Sequence, residues 1–373
     1  MAEPSRQVYA SPPEVRGPAQ AALEALKPKV AELLGLVRGK KRALLLTHDN
    51  PDPDSLASAW ALGQLLEDAA GLEVTLAYGG MIGRAENRAM VRQLRIPVQP
   101  VHRVKLDEFD VVGLVDTQPE IGNHSLPPVD LPIICIDHHP ARPESEETAF
   151  HDVGGDYGAT STVLTGYLRA AGVTPRPAVA TALFYGIKSD TRDLGREVGP
   201  LDVDAYMYLL PLTDMPTVSA IEHPQVPREY FAMLAKGLRR VRIHDQVAAV
   251  DLGEVYVPDL VAEMADRLMT IEDIKWGLAF GEFDGSLYIS IRVNDRRCKS
   301  VTMLREIVDP LNAGSSGGHG SMAGARLDLE KLGSNQSARA AARKRLMSRL
   351  IKEMGGTRRG ESLLPKKKPV PAH

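Results

Sequence analysis

Two acidic clusters containing histidine stand at the ends of apolar runs. Leu131-Pro132-Ile133-Ile134-Cys135-Ile136 leads into Asp137-His138-His139, and Ala43-Leu44-Leu45-Leu46-Thr47 leads into His48-Asp49-Asn50-Pro51-Asp52-Pro53-Asp54. A buried strand has no use for carboxylates and imidazoles except at its ends, where they can converge without the full cost of burying unpaired charge. Two further carboxylates fit the pattern: Asp116 closes Val112-Gly113-Leu114-Val115, and Asp190 closes Gly186-Ile187-Lys188-Ser189. Imidazole with several carboxylates is the ligand set of a hard or borderline divalent cation. The chemistry this suggests is two-metal hydrolysis.

Spacing assigns tasks within that set. Asp52 and Asp54 flank Pro53 and can address two different ions from one loop. Two ions about 3.5–4 Å apart need a bridging oxygen, and Asp116, alone at its strand end, is the natural bridge. His138 and His139 supply an imidazole nitrogen to one ion and a donor to an anionic substrate, and Asp190 closes the shell. Asp49 and Asn50 read as caps or supports, because an Asp or Asn after a strand is most often a turn former. Each residue alone is a weak signal; four acidic sites with two histidine sites, all at element ends, point to a metal.

The elements that must position these groups alternate. A helix is expected over Gln20–Val37, a strand over 43–47, a helix opening near Ser55 as its cap, and a strand over 73–78. A helix near 84–94, strands at 110–115 and 132–136, and helices at 159–171 and 178–188 follow. Continuous apolar strands alternating with helices imply a parallel sheet covered on both faces. From Pro200 to Lys236 the alternation breaks up. A second alternation then runs from strand 246–252, helix 258–270, strands 275–283 and 286–293 and helix 300–311 to a Gly/Ser loop and strand 324–329, and a basic helix over 336–353 closes it. The fold class is α/β: an N-terminal parallel-sheet domain with helices on both faces, plus a smaller C-terminal α/β domain, the active site in the cleft between them. The expected divisions are a disordered 1–17, a catalytic domain at 18–210, a linker at 211–236, a substrate-binding domain at 237–332, and a basic helix with disordered tail at 333–373.

Composition narrows the classes. The chain has 373 residues, 43% of them hydrophobic, enough for a core in each of two domains. Its formal charge of −3 hides an asymmetry: eleven Lys or Arg stand between Arg339 and Lys368 against Glu353 and Glu361. That segment can attract polyanions, or can be a solvated helix face with a tail. Two cysteines, Cys135 in an apolar strand and Cys298 in a charged stretch, make neither a disulfide framework nor a thiolate metal site. With no apolar leader and no uncharged run of membrane-spanning length, a reducing cytoplasmic compartment is expected.

Four segments, THDNPDPDSLAS, VVGLVDTQ, ICIDHHP and ALFYGIKSDT, resemble in order and spacing the four motifs of the DHH phosphoesterase superfamily. The resemblance implies two manganese ions bridged by Asp116. His48 and Asp52 would complete one ion's shell; Asp54, His138 and Asp190 would complete the other's; and His139 would contact the scissile phosphate. The segment Gly317-Gly318-His319-Gly320-Ser321-Met322-Ala323-Gly324 resembles the GGHxxxAG motif of the DHHA-type domain that follows in many members. By that resemblance Gly317, Gly318 and His319 bind a phosphate or sugar, and Arg292 reaches the same anion from a strand. In size and layout the chain is most similar to nano-RNases and 3′-phosphoadenosine 5′-phosphate phosphatases. This implies hydrolysis of short single-stranded oligonucleotides or small nucleotides, with a homodimer as a reasonable assembly and no membrane partner. The competing expectations are a cyclic or linear dinucleotide phosphodiesterase and a non-catalytic nucleotide- or RNA-binding protein with a structural metal.

Overall fold

The computed structural model describes residues 18–295, 298–319 and 321–364, with His319 described by its backbone alone. The expected disorder of 1–17 and of the Lys366-Lys367-Lys368 tail lies outside these residues. The chain divides into two compact units, Met1–Gln225 and Val226–His373.

In the first unit the elements run α1 (Pro18–Leu36), β1 (Arg42–Thr47), α2 (Pro53–Ala70), β2 (Glu73–Tyr78), α3 (Ala85–Leu94), β3 (Val98–Pro100), β4 (Val111–Val115) and β5 (Ile133–Asp137). They continue with α4 (Pro143–Glu146), β6 (Phe150–Val153), α5 (Thr160–Ala170), α6 (Pro177–Asp190), α7 (Pro200–Leu209) and α8 (Met215–Glu222). The sheet order is β3-β2-β1-β4-β5-β6, and every described pairing in it is parallel. All six strands therefore discharge at one edge, where His48, Asp116 and His138 follow β1, β4 and β5.

The pleat explains the unbroken apolar runs. Ala43 and Leu45 of β1 face Leu56, Leu62 and Leu65 of α2, in a core shared with α1, α5 and α6. Leu44 and Leu46 point the other way and join Ala77, Phe109, Val112 and Leu114. Each such leucine contributes about 1.5–3 kcal/mol by burial, so both faces must be covered. The Leu44 face lies under Val101, Val104, Leu106 and Leu126, carried by short 3-10 turns at Val101–Arg103 and Leu106–Glu108 and by the connection before β5. Pro119, Pro127, Pro128 and Pro132 deny that connection a helical backbone.

The start of α2 differs from expectation. Asp52, not Ser55, is the N-cap: its carboxylate accepts from the Ser55 amide at 3.0 Å, and Ser55 Oγ accepts from the Asp52 amide at 3.1 Å. Pro53 occupies the first helical position, where its fixed φ is pre-organised and its missing N–H costs nothing. Asp54 therefore sits on the first turn of the helix rather than in the loop. The short strands β3 and β6 have no counterpart in the sequence reading.

The stretch expected as a linker is largely helical, holding α8 and the start of α9 (Arg228–Arg240). The second unit continues with β7 (Arg242–His244), β8 (Val247–Glu254), α10 (Asp259–Leu268), β9 (Trp276–Phe283), β10 (Ser286–Val293) and α11 (Ser300–Val308). It ends with β11 (Gly314–His319), β12 (Met322–Asp328), α12 (Leu329–Leu332), α13 (Gln336–Glu353) and β13 (Glu361–Ser362). Its sheet has the order β11-β12-β10-β9-β8-β7-β13, with β8 and β9 parallel across the α10 crossover and the other pairs antiparallel. The basic helix α13 lays Leu346, Leu350 and Ile351 on this sheet. The Gly/Ser segment expected as a loop is an edge strand, β11, paired with β12 in the register Gly317↔Gly324 and Gly318↔Ala323. Glycines carry no strand signature of their own, and the pairing partner imposes the extended form. Among the described residues, no helix is long and apolar enough to cross a membrane.

Candidate metal centre

Three side-chain groups converge at the carboxyl edge of the six-stranded sheet. Each of His48/Asp52/Asp116, Asp54/His138/Asp190 and Asp116/Asp137/His138/His139 offers one atom per residue, all within 4.8 Å of one another. His48 Nε2 lies 3.6 Å from Asp52 Oδ1 and 3.6 Å from Asp116 Oδ2. His138 Nε2 lies 3.7 Å from Asp116 Oδ1 and 3.4 Å from Asp190 Oδ2. These separations are too long for hydrogen bonds. They are about the spacing of neighbouring donors around one cation bound at about 2.0–2.2 Å. Asp116 turns one oxygen to His48 and the other to His138, as a bridging carboxylate must.

The backbone aims each group. Asp116 ends β4 with its amide still donating to Ile136 O at 2.9 Å, then adopts φ +59°. That left-handed conformation is one Asp tolerates better than most residues, and it turns the chain sharply away from the strand. Thr160, the first residue of α5, donates from Oγ1 to Asp116 Oδ1 at 2.8 Å. The amides of Thr160 and Ser161 donate to the two oxygens of Asp54 at 2.7 and 2.8 Å, placing its charge at a helix N-terminus. Two of the imidazoles are held through Nδ1 by a backbone carbonyl: His48 by Asp49 O at 2.9 Å and His138 by Tyr157 O at 3.3 Å. Fixing Nδ1 as the donor turns Nε2 to the carboxylates, the arrangement usual for a metal-binding histidine.

Electrostatics mark this as a concentrated charge site. Burial, followed by the carboxylates of Asp54, Asp52, Asp137 and Asp190, pushes the Asp116 carboxyl well above the ordinary range. Burial and then Asp54 and Asp52 do the same for Asp190, against the pull of Arg196. Burial would lower His48, but the Asp52 carboxylate beside it carries it up to about 9. Burial would raise Asp52, yet His48 and the Ser55 amide take it below the ordinary carboxylate range. Carboxylates that resist ionising together in this way are what a cation relieves.

All six expected metal ligands, His48, Asp52, Asp54, Asp116, His138 and Asp190, thus lie in one cluster, with His139 beside them. His139 Nδ1 is 2.7 Å from Asp137 Oδ1, and its ring centroid is 4.2 Å from that of His138. Burial would lower His139; the Asp137 hydrogen bond and charge raise it. Sequence reasoning gave Asp137 no task, yet it orients His139. It also missed Gln118, which donates to Asp137 Oδ2 at 2.7 Å and accepts from the Arg142 amide and Ser145 Oγ at 2.9 and 2.8 Å. Thr160, above, was missed as well. Asp49 and Asn50 do act as supports: Asp49 accepts from Ser125 Oγ at 2.8 Å, and Asn50 Oδ1 from the Met81 amide at 3.0 Å.

The substrate residues expected in the second unit lie on its strands β10 and β11. Arg292 in β10 is buried, with Nε 2.6 Å from Asp266 Oδ1 and Nη1 2.9 Å from Ser290 Oγ. Its fork is thus filled by the protein itself. Gly318 has φ +144°, and a Cβ there would overlap Met322 O; a Cβ at Gly317 would meet nothing within 4 Å.

Residues 42–187 match the DHH family, N-terminal domain, and residues 244–348 match the DHHA1 domain. An uncharacterized protein of Methanocaldococcus jannaschii is 36% identical over 323 residues, covering 82% of this chain. The chain spans 65% of that relative's length. Among solved structures, an exopolyphosphatase-related protein from Bacteroides fragilis shares the fold with a TM-score of 0.68 at 13% identity, covering 88% of this chain and 97% of that one.

Proposed function

The chain belongs to the DHH family, with a DHHA1 domain after the first, and from that premise we propose that its first unit is a metal-dependent phosphoesterase. The observation that carries this reading is Asp116, whose two oxygens face His48 on one side and His138 on the other. His48, Asp52 and Asp116 would hold one divalent cation; Asp54, His138 and Asp190, again with Asp116, would hold a second. Manganese suits a set of imidazoles and carboxylates. Such ions, when bound, polarise a phosphoryl oxygen and make hydroxide available near neutral pH.

The protein's own groups complete the chemistry. Asp137 holds the His139 ring in one orientation and raises its pKa, and the ring so held would donate to a phosphate oxygen. Thr160 and the amides of α5 hold Asp116 and Asp54 in place, so the donors need no rearrangement before reaction. The proposed substrates are short single-stranded oligonucleotides and nucleoside bisphosphates. In the second unit the backbone of Gly317, Gly318 and His319 is the proposed phosphate or sugar contact. Arg292 joins that contact only where Asp266 yields its fork.

The test is a panel of di- to pentanucleotides, cyclic dinucleotides and nucleoside bisphosphates, assayed with manganese on the wild-type chain and on Asp116→Ala. The expected result is metal-dependent release of nucleotides by the wild type alone. Equal hydrolysis by Asp116→Ala would refute the two-cation site.

A further inference from the structure

We propose that a cavity beside the metal loop, walled by Tyr78, His102, Val104, Leu106, Leu126 and Pro127, receives the base of a nucleotide whose phosphate lies at the metal centre. The inference rests on the hydrolytic reading above and names the substrate class of that same site. The cavity measures about 530 Å³, within the range of small-ligand pockets. It opens where β2 ends at Tyr78 and continues into Gly79 and Gly80, at the same edge of the sheet as the metal ligands. Ligands of parallel sheets bind along this edge.

Hydrogen bonds tie the cavity's walls to the ligand-bearing segments on two sides. Gly79 O accepts from the Asn50 amide at 3.0 Å, and Ser125, which lines the cavity, donates to Asp49 at 2.8 Å. Asn123 O accepts from the Asp49 amide at 2.6 Å, and Asn123 Oδ1 from Thr117 Oγ1 at 2.5 Å. Asp49 follows His48, and Thr117 follows Asp116. The contact is close enough to dictate sequence: a Cβ at Gly79 would overlap the Asp49 carboxylate, and one at Gly80, at φ +64°, would come within 2.5 Å of Asn50 Oδ1. Asp49 alone stands between the cavity wall at Ser125 and the metal ligand His48, so a nucleotide with its phosphate at the metal centre has the cavity next to it for its base.

The lining chemistry selects the occupant. None of the residues that line the cavity carries a carboxylate, ammonium or guanidinium, and the Asp49 carboxylate behind Gly79 and Ser125 disfavours a second phosphate there. Aliphatic side chains with a phenol ring and an imidazole instead offer a surface on which a planar base stacks. A nucleotide fills such a space; inorganic polyphosphate has no planar group to place in it.

The experiment uses the full chain with manganese, comparing a dinucleotide with the same diester lacking both bases. Val104→Trp fills the cavity and should raise KM for the dinucleotide by about tenfold, the value of one lost stack. In that variant kcat for the dinucleotide and KM for the abasic diester should stay within about twofold, because the base is bound equally in the ground and transition states. Tyr78→Ala is a second variant that adds no volume and should raise the same KM. Equal KM values for the dinucleotide in wild type and both variants, or equal losses with the abasic diester, would overturn the proposal. Hydrolysis of neither substrate would sink the hydrolytic reading instead. The cavity is then judged by the fluorescence of 2-aminopurine mononucleotide: quenching that Val104→Trp abolishes supports base binding, and quenching unchanged by it, or absent in both, refutes it.

Discussion

Gln118 gives the sharpest test of how the centre is built. Its side chain is fully buried and makes four contacts: to Asp137 Oδ2, to Pro140 O at 3.2 Å, and from the Arg142 amide and Ser145 Oγ. Gln118→Leu keeps the volume and strands three of these partners. Each buried group left without a partner costs about 1–3 kcal/mol, more for a charged one. The Asp137 oxygen and the Arg142 amide cannot turn elsewhere, whereas the Ser145 hydroxyl can rotate. A loss of about 3–4 kcal/mol follows, a large share of the roughly 5–15 kcal/mol that holds a domain folded. Calorimetry or circular dichroism should show Tm lowered by about 10 °C for a unit of this size. Gln118→Glu keeps both acceptors but sets a carboxyl against Asp137, so one of the two must hold a proton. That group's pKa is raised by folding, so its stabilising share is present in acid and fades as pH rises through the folded value. The deficit relative to wild type should therefore shrink from about pH 8 to about pH 5. A Gln118→Leu protein within about 1 kcal/mol of wild type, or a Gln118→Glu deficit indifferent to pH, would refute the claim that this network aims His139.

Other outcomes follow from the same structure. Asp116→Asn removes a carboxylate that burial and its neighbours oppose, so the metal-free protein should melt higher than wild type in chelator. The same variant should lose the gain that manganese gives wild type, about 2.7 kcal/mol at a hundredfold excess over Kd. In β11, Gly318→Ala should cost about 1–3 kcal/mol in urea unfolding, because φ +144° and Met322 O leave no room for a methyl. Gly317→Ala should stay within about 0.5 kcal/mol of wild type, so any loss of nucleotide binding in it reports on function and not on folding. Thiol labelling of the native protein should modify Cys298 and spare Cys135, whose thiol burial and then Asp137 push up to about 12; mass spectrometry after denaturation should find both reactive.

The metal ligands were legible because metal chemistry restricts residue type and strands restrict position. A run such as Ile133-Ile134-Cys135-Ile136 ending in Asp137-His138-His139 has few other uses. The start of α2 is also within reach of the sequence: Asp52 with Ser55 three residues on, and Pro53 between, is a capping pattern in its own right. Gln118 and Thr160 left no local trace. They matter through partners up to 106 residues away, as in the bond from the Thr160 amide to Asp54. β11 was hidden because Gly-Ser-Ser-Gly-Gly looks like a loop until β12 pairs with it. Arg292, expected by resemblance to reach an anion, has Asp266 as the partner of its fork in the structure.

Because the strands run parallel and side by side out of sequence order, the six donors are gathered from His48 through to Asp190. No short stretch of nascent chain holds the set. The set is complete only when α6 is docked, β4 lies against β1 and β5 lies against β4. Long-range closures of this kind are slow, and tight cation uptake should wait for them, since a half-built cage binds weakly. Ion capture would then serve as a completion signal for the first unit: a stopped-flow trace of manganese uptake during refolding should lag behind the return of helical signal.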